Sequence, residues 1–179
     1  MKIACIMSGQ PRHLDKGLDE LRNLLDGIEV DFFVHTWIDD SDLGKVFNSA
    51  NPNDTSVWSI NKNTGDLILK TLDPKRYLFE KQIEFKPKRN YESRTLTHQK
   101  PWQFMSMTYS RKKSFELLES YIDETKTVYD FVISTRSDIR YHNKLKEYIE
   151  KCDPRTFYTL FVPGPMWNDD IINDPLVLS

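Results

Sequence analysis

The chain reads as an α/β domain with a mostly parallel, Rossmann-like central sheet flanked by helices. Three observations predict this class. Apolar runs of strand length lie at 3–8, 30–35 and 128–135. The first two enclose a segment of helical periodicity, giving a βαβ opening whose apolar strands suit a sheet covered on both faces. A long helical segment then leads into the third run, which again alternates helix with strand.

The first strand, Ile3 to Ser8, leaves through Gly9-Gln10-Pro11-Arg12 into a helix from Leu14 to Asp26. Leu14, Leu18, Leu21 and Leu25 share one helical face, and Gly27 is placed to cap the end. Val30 to His35 forms the second strand and runs into Thr36-Trp37. Residues 38–63 are polar and read as a surface excursion, with 57–60 as a short edge piece. A helix over 66–72 stops at Asp73-Pro74; 76–85 alternates as a strand, and 87–94 is a charged linker. The longest helix spans Pro101 to Thr125, with proline tolerated in its first turn. Phe104, Thr108, Arg111, Phe115, Leu118 and Ile122 form one stripe on it, beside a second of Trp102, Met105 and Tyr109. Such a two-sided apolar surface predicts packing against the sheet. After the 128–135 strand come a helix over 143–151 and strands at 157–162 and 176–178.

Composition narrows the function. A chain of 179 residues is expected to form one domain, 1–179, large enough for a continuous core. Its 25 basic and 27 acidic side chains leave a formal charge of −2, which argues against nucleic acid as a partner. No apolar run approaches the ~20 residues of a membrane span, so no integral membrane segment is expected. The opening apolar stretch is too short for a signal peptide. Cys5 and Cys152 lack metal-ligand spacing, and reduced thiols in a cytoplasmic protein are the expectation. Four histidines without paired spacing disfavour zinc. The glycines and lysine of a phosphate-binding loop or dinucleotide fingerprint are absent, which disfavours kinases and nicotinamide enzymes. No Gly-x-Ser-x-Gly elbow supports a hydrolase.

Candidate chemistry gathers at strand ends. Arg136-Ser137-Asp138-Ile139-Arg140 closes the third apolar run. Ligands bind outside the carboxyl ends of strands in α/β sheets. A carboxylate there can hold a divalent cation, and arginines can meet phosphate oxygens. The alternative is a simple turn or cap at Asp138. Ser8-Gly9-Gln10-Pro11-Arg12 offers backbone N–H groups and a guanidinium to an anion at a helix start, or forms an ordinary βα turn. His35, Thr36 and Trp37 stand at the second strand's exit, as ligand contacts or as core. Asn168-Asp169-Asp170 follows a Pro-Gly-Pro turn, where the acids are a general base, extra metal ligands or solvated loop residues.

In this order, Ser8 to Arg12, Asp31 to Trp37, Gln99 through Ser110, Tyr129 to Asp138 and Asn168 to Asp170 resemble a known family. The likeness is to the GT-A-type glycosyltransferases of large algal viruses, phages and bacterial surface-polysaccharide clusters. The resemblance implies a GT-A-like domain that uses Mn2+ or Mg2+ and moves a sugar from a nucleotide-sugar donor, UDP-linked by analogy, to a glycan or glycoprotein acceptor. It places the metal on Asp138, with Ser8, Gly9, Gln10, Arg12, Thr36, Trp37 and Arg136 around the donor and Asp169 or Asp170 as catalytic base. The family's Asp-x-Asp motif falls on Arg136-Ser137-Asp138, so its first acid is here an arginine. The acceptor-binding part is short or missing, which leaves room for a homodimer that completes it, or for a larger parent protein. A non-catalytic nucleotide- or sugar-binding module is the alternative.

Overall fold

The computed structural model describes residues 1–44, 46–48, 57–86, 101–139, 145–153, 158–159 and 176–177. Contacts divide the chain into two compact units, Met1–Lys146 and Glu147–Ser179. In the first, strand β1 (Lys2–Gly9) is followed by helix α1 (Leu14–Leu24) and strand β2 (Glu29–Trp37). The polar excursion holds a short antiparallel pair, β3 (Val46–Asn48) and β4 (Val57–Ser59). Helix α2 (Thr64–Leu72), strand β5 (Arg76–Glu80), helix α3 (Pro101–Thr125) and strand β6 (Phe131–Thr135) complete the wound core. A short helix α4 (Lys146–Ile149) lies at the boundary, and β7 (Tyr158–Thr159) pairs antiparallel with β8 (Leu176–Val177) in the second unit.

Four strands form one all-parallel sheet in the order β5-β2-β1-β6. β1 is central, and Ile3 to Ile6 are fully buried, as expected for a strand covered on both faces. Alternation turns Ala4, Ile6 and Phe33 towards Leu118, Tyr121 and Ile122 of α3. Ile3, Cys5 and Val34 point the other way, and that face belongs to α1 and α2, which touch each other. Burial pushes the Cys5 thiol up to about 12, leaving it protonated and inert.

The winding reverses at β1. The connection through α1 carries the chain to β2 on one side, and α3 returns it across the opposite face to β6 on the other. The gap between the carboxyl ends of β1 and β6 is therefore a topological switch point.

Several expectations need correction. β5 ends at Glu80, and residues 81–86 carry no regular strand. β2 runs on to Trp37 because its register with β5 continues through Trp37↔Glu80. On α3 the buried row is Ser106, Ser110, Ser114 and Leu118, while Phe104 and Phe115 are exposed. Small side chains let a helix backbone come close to a sheet, and buried hydroxyls find partners there. Ser114 donates to the Arg111 carbonyl at 2.9 Å, and Gln82 Nε2 donates to Ser106 Oγ at 2.9 Å. The expected linker at 87–94, Gln99, Arg140 and the stretch 160–175, with Asn168, Asp169 and Asp170, lie outside the described residues.

One glycine holds the switch point together. Gly17, in the first turn of α1, is buried against the Ser137 carbonyl, and an added Cβ would lie far inside van der Waals contact with that oxygen. Alanine normally gains about 1 kcal/mol over glycine inside a helix. Here overpacking against backbone costs about 1–3 kcal/mol or more and outweighs that gain. Gly17→Ala should lower the urea midpoint, whereas Lys16→Ala on the exposed face should leave it nearly unchanged. A stabilised Gly17→Ala protein would mean that α1 and the 136–138 turn are not in contact.

Candidate functional site

The carboxyl end of the sheet is assembled from the exits of β1, β2, β5 and β6 and from α3. Gly9 sits at φ 114°, a conformation that disfavours any side chain, and turns the chain out of β1. Its N–H donates to Ser110 Oγ at 2.7 Å, and its carbonyl accepts from Thr36 Oγ1 at 2.8 Å. Ser110 Oγ also lies 2.6 Å from His35 Nδ1, and His35 Nε2 lies 2.8 Å from Glu80 Oε1. A neutral imidazole protonated on Nε2 satisfies the whole chain of bonds. Nε2–H donates to Glu80, Nδ1 accepts from the Ser110 hydroxyl, and that oxygen accepts from Gly9. Burial holds His35 below its ordinary pKa, against the opposing pull of Glu80.

This Ser110–His35–Glu80 sequence has the composition of a nucleophilic triad, but it serves structure. Ser110 and His35 are fully buried. A nucleophile must reach substrate, and this hydroxyl is occupied by the Gly9 N–H. Trp37 is likewise internal at 3% exposure, stacked on Tyr109 with ring centroids 5.5 Å apart and with His35 edge-on at 4.9 Å. Ser8 and Thr36 are buried as well, so they and Trp37 shape the turn from beneath.

The residues that reach the mouth are Gln10, Arg12, Arg136 and Asp138, all partly exposed. Arg12 donates through Nε (3.0 Å) and NH2 (2.6 Å) to the single acceptor Gln10 Oε1, and its guanidinium lies 5.6 Å from the Trp58 ring centroid. Burial draws the Arg12 pKa down, Asp138 pushes it up and Arg136 pulls it further down. Arg12 thus feels both charges of the other loop. Arg136 grips Asp138 with a two-pronged fork, Nε to Oδ1 at 2.8 Å and NH2 to Oδ2 at 2.6 Å. Ser137 between them is buried and donates to the Gln10 carbonyl at 3.2 Å, which joins the two loops.

The site therefore brings together Gly9, Gln10, Arg12, Arg136 and Asp138 from two distant stretches of sequence. Ser110, Gly17, Glu80 and Trp58 were not among the sequence candidates. Only Ser110 carried a signal, as the last residue of the Gln99–Ser110 stretch in the resemblance. Asp138 meets the expected cation with both oxygens already on Arg136, and among the described residues no group of three potential ligands surrounds it. As arranged, these residues do not fit Mn2+ or Mg2+.

Two measurements check the buried network. Ser110→Ala leaves the Gly9 N–H and His35 Nδ1 without their partner and should cost about 1–3 kcal/mol. Ser114→Ala gives up only bonds to carbonyls of its own helix, and its change in the urea midpoint should be much smaller. Equal costs would refute the bridging role of Ser110. The second is pH dependence. Because His35 is held below its ordinary value, the unfolded chain takes up that proton first as pH falls. Its contribution is full above the unfolded value of about 6.5 and is lost as pH drops towards the folded value. Unfolding free energy should fall from pH 7.5 to 5.5 more steeply in the wild type than in His35→Gln; parallel curves would mean that His35 is not kept neutral.

Among the described residues no helix is long and apolar enough to cross a membrane. No protein-family model, curated protein or solved structure matches the chain.

Proposed function

We propose that this chain is a glycosyltransferase of GT-A-like fold that binds a nucleoside-diphosphate sugar at the β1/β6 switch point and passes the sugar to a glycan or glycoprotein acceptor. The observation that carries this reading is the convergence of two guanidiniums, Arg12 and Arg136, on the gap where the winding reverses. Open parallel sheets bind ligands at that gap, and guanidinium forks match phosphate oxygens. Gln10 lies beside Arg12, where an amide can read the edge of a base. UDP is the preferred nucleotide, on the resemblance described above.

Sugar transfer leaves negative charge on the departing nucleoside diphosphate. Cations fixed before the reaction stabilise that charge at no reorganisation cost. Arg12 is fixed by Gln10 and Trp58, and Arg136 by Asp138, so both are pre-set for this role. In an inverting reaction, Asp169 or Asp170 would take the acceptor's proton. No step is routed through a metal.

The test is release of the free nucleotide (UDP, GDP, CMP or dTDP) from a panel of UDP-, GDP-, CMP- and dTDP-sugars, with Mn2+ and Mg2+ supplied, with water or oligosaccharide as acceptor. One donor class should turn over. Arg12→Ala should lower kcat/KM for it by about 10²-fold, with an unchanged urea midpoint. Turnover of no donor, together with no nucleotide binding, would sink the reading.

A further inference from the structure

We infer that Arg136 occupies the place of the divalent cation, so that the mouth between β1 and β6 binds a diphosphate without metal. This rests on the proposed donor site and concerns how that site handles charge.

Three observations lead here. The first is the fork on Asp138, in which each carboxylate oxygen faces a different guanidinium nitrogen at 2.6–2.8 Å. A hard cation binds through those same oxygens. It would have to displace Arg136 or share the carboxylate with it, two positive charges on one anion. The second is the local charge. Arg12 and Arg136 supply two positive charges against the one negative charge of Asp138, and Arg12 responds to both other groups. Among the described residues, these three side chains sum to one positive charge before any ligand arrives. A dication entering the mouth meets repulsion, whereas a diphosphate meets attraction. The third is what each arginine gives up when an anion arrives. Arg12 has both engaged nitrogens on one neutral amide oxygen, and among the described residues Arg136 Nη1 has the Met107 thioether at 3.9 Å. Phosphate oxygens are far stronger acceptors than an amide or a thioether. Anion binding therefore improves the partners of both guanidiniums, while Asp138 can keep its grip on Arg136.

Asp138 is on this view a positioning residue. It holds the Arg136 fork against the β6 exit, and Ser137 and Gly17 hold the backbone that carries both. Little ordering is left to be done on binding, which lowers its entropic cost.

The test is calorimetric titration of UDP and of inorganic pyrophosphate into the full chain, in EDTA and in Mg2+. Both ligands should bind in EDTA, with affinities within about twofold of those in Mg2+. Arg136→Ala should lose about tenfold or more in EDTA, and Asp138→Asn, which keeps one acceptor for Arg136, should lose less than Arg136→Ala. Binding that requires Mg2+ and vanishes in Asp138→Asn would overturn the inference and restore Asp138 as a metal ligand. Pyrophosphate binding in EDTA without UDP binding would uphold the metal-free anion site and remove the nucleotide reading. Binding of neither ligand under either condition would overturn both.

Discussion

One buried hydroxyl sets the geometry of the sheet's carboxyl end. Ser110 Oγ accepts the Gly9 N–H at 2.7 Å and meets His35 Nδ1 at 2.6 Å, so it ties α3 to the exits of β1 and β2. The Gly9 amide is the last of β1, where the ladder to β2 ends, and a buried N–H must find a partner. A serine supplies that partner at less volume than any other hydroxyl side chain, which is why α3 can approach as closely as it does. Ser106 and Ser114 continue the same close-packed row on either side.

From that anchor the mouth follows. Gly9, turned through a positive φ, sends the chain across the top of β1 towards β6, where the Gln10 carbonyl meets Ser137 Oγ. On the other flank, Gly17 lets α1 come up against the Ser137 carbonyl. The 136–138 turn is thus clamped between the β1 exit and α1. Its two charged side chains have little choice but to face each other and Arg12. Backbone packing decides where the charges are, and side-chain chemistry decides only what they bind.

Much of this was legible in the sequence because burial writes itself in apolar runs. β1 and the core of β2 are such runs, β6 is an edge strand left half exposed at Val132 and Ser134, and α3 matches its expected span from Pro101 to Thr125. The loops that end them are rich in Gly, Pro and Arg, which is how Gly9, Gln10, Arg12, Arg136 and Asp138 could be singled out. What escaped were contacts with no apolar signature. A serine row carries no hydrophobic period, so the stripe drawn through Phe104, Thr108, Arg111, Phe115, Leu118 and Ile122 meets the core at Leu118 and Ile122, while Phe104 and Phe115 are exposed. Gly17 reads as an ordinary helix residue, because its meaning lies in a carbonyl 120 positions away. The Arg136–Asp138 fork was hidden differently. Both residues stood out, but a sequence does not tell whether an arginine beside an acid serves a ligand or that acid.

The two ends of the sheet show why only one of them suits an anion. At the amino end Asp31 is nearly buried, lying 3.1 Å from Lys2 Nζ and 3.6 Å from Lys75 Nζ and accepting from the Tyr129 hydroxyl at 2.8 Å. Burial raises the Asp31 pKa, but the hydrogen bonds from Tyr129 and Lys2 outweigh it and hold the carboxyl below its usual range. Glu29 shares Lys2 at 3.3 Å, so two lysines there meet two carboxylates and the cluster is neutral. Between the exits of β1 and β6, among the described residues, two arginines meet one carboxylate. The excess charge sits on guanidiniums, which are weakly hydrated and planar, instead of on ammonium groups that hold their water. A cluster that neutralises itself can only stabilise the fold. One that keeps a positive remainder at the switch point, on rigid supports, has a free charge with which to bind.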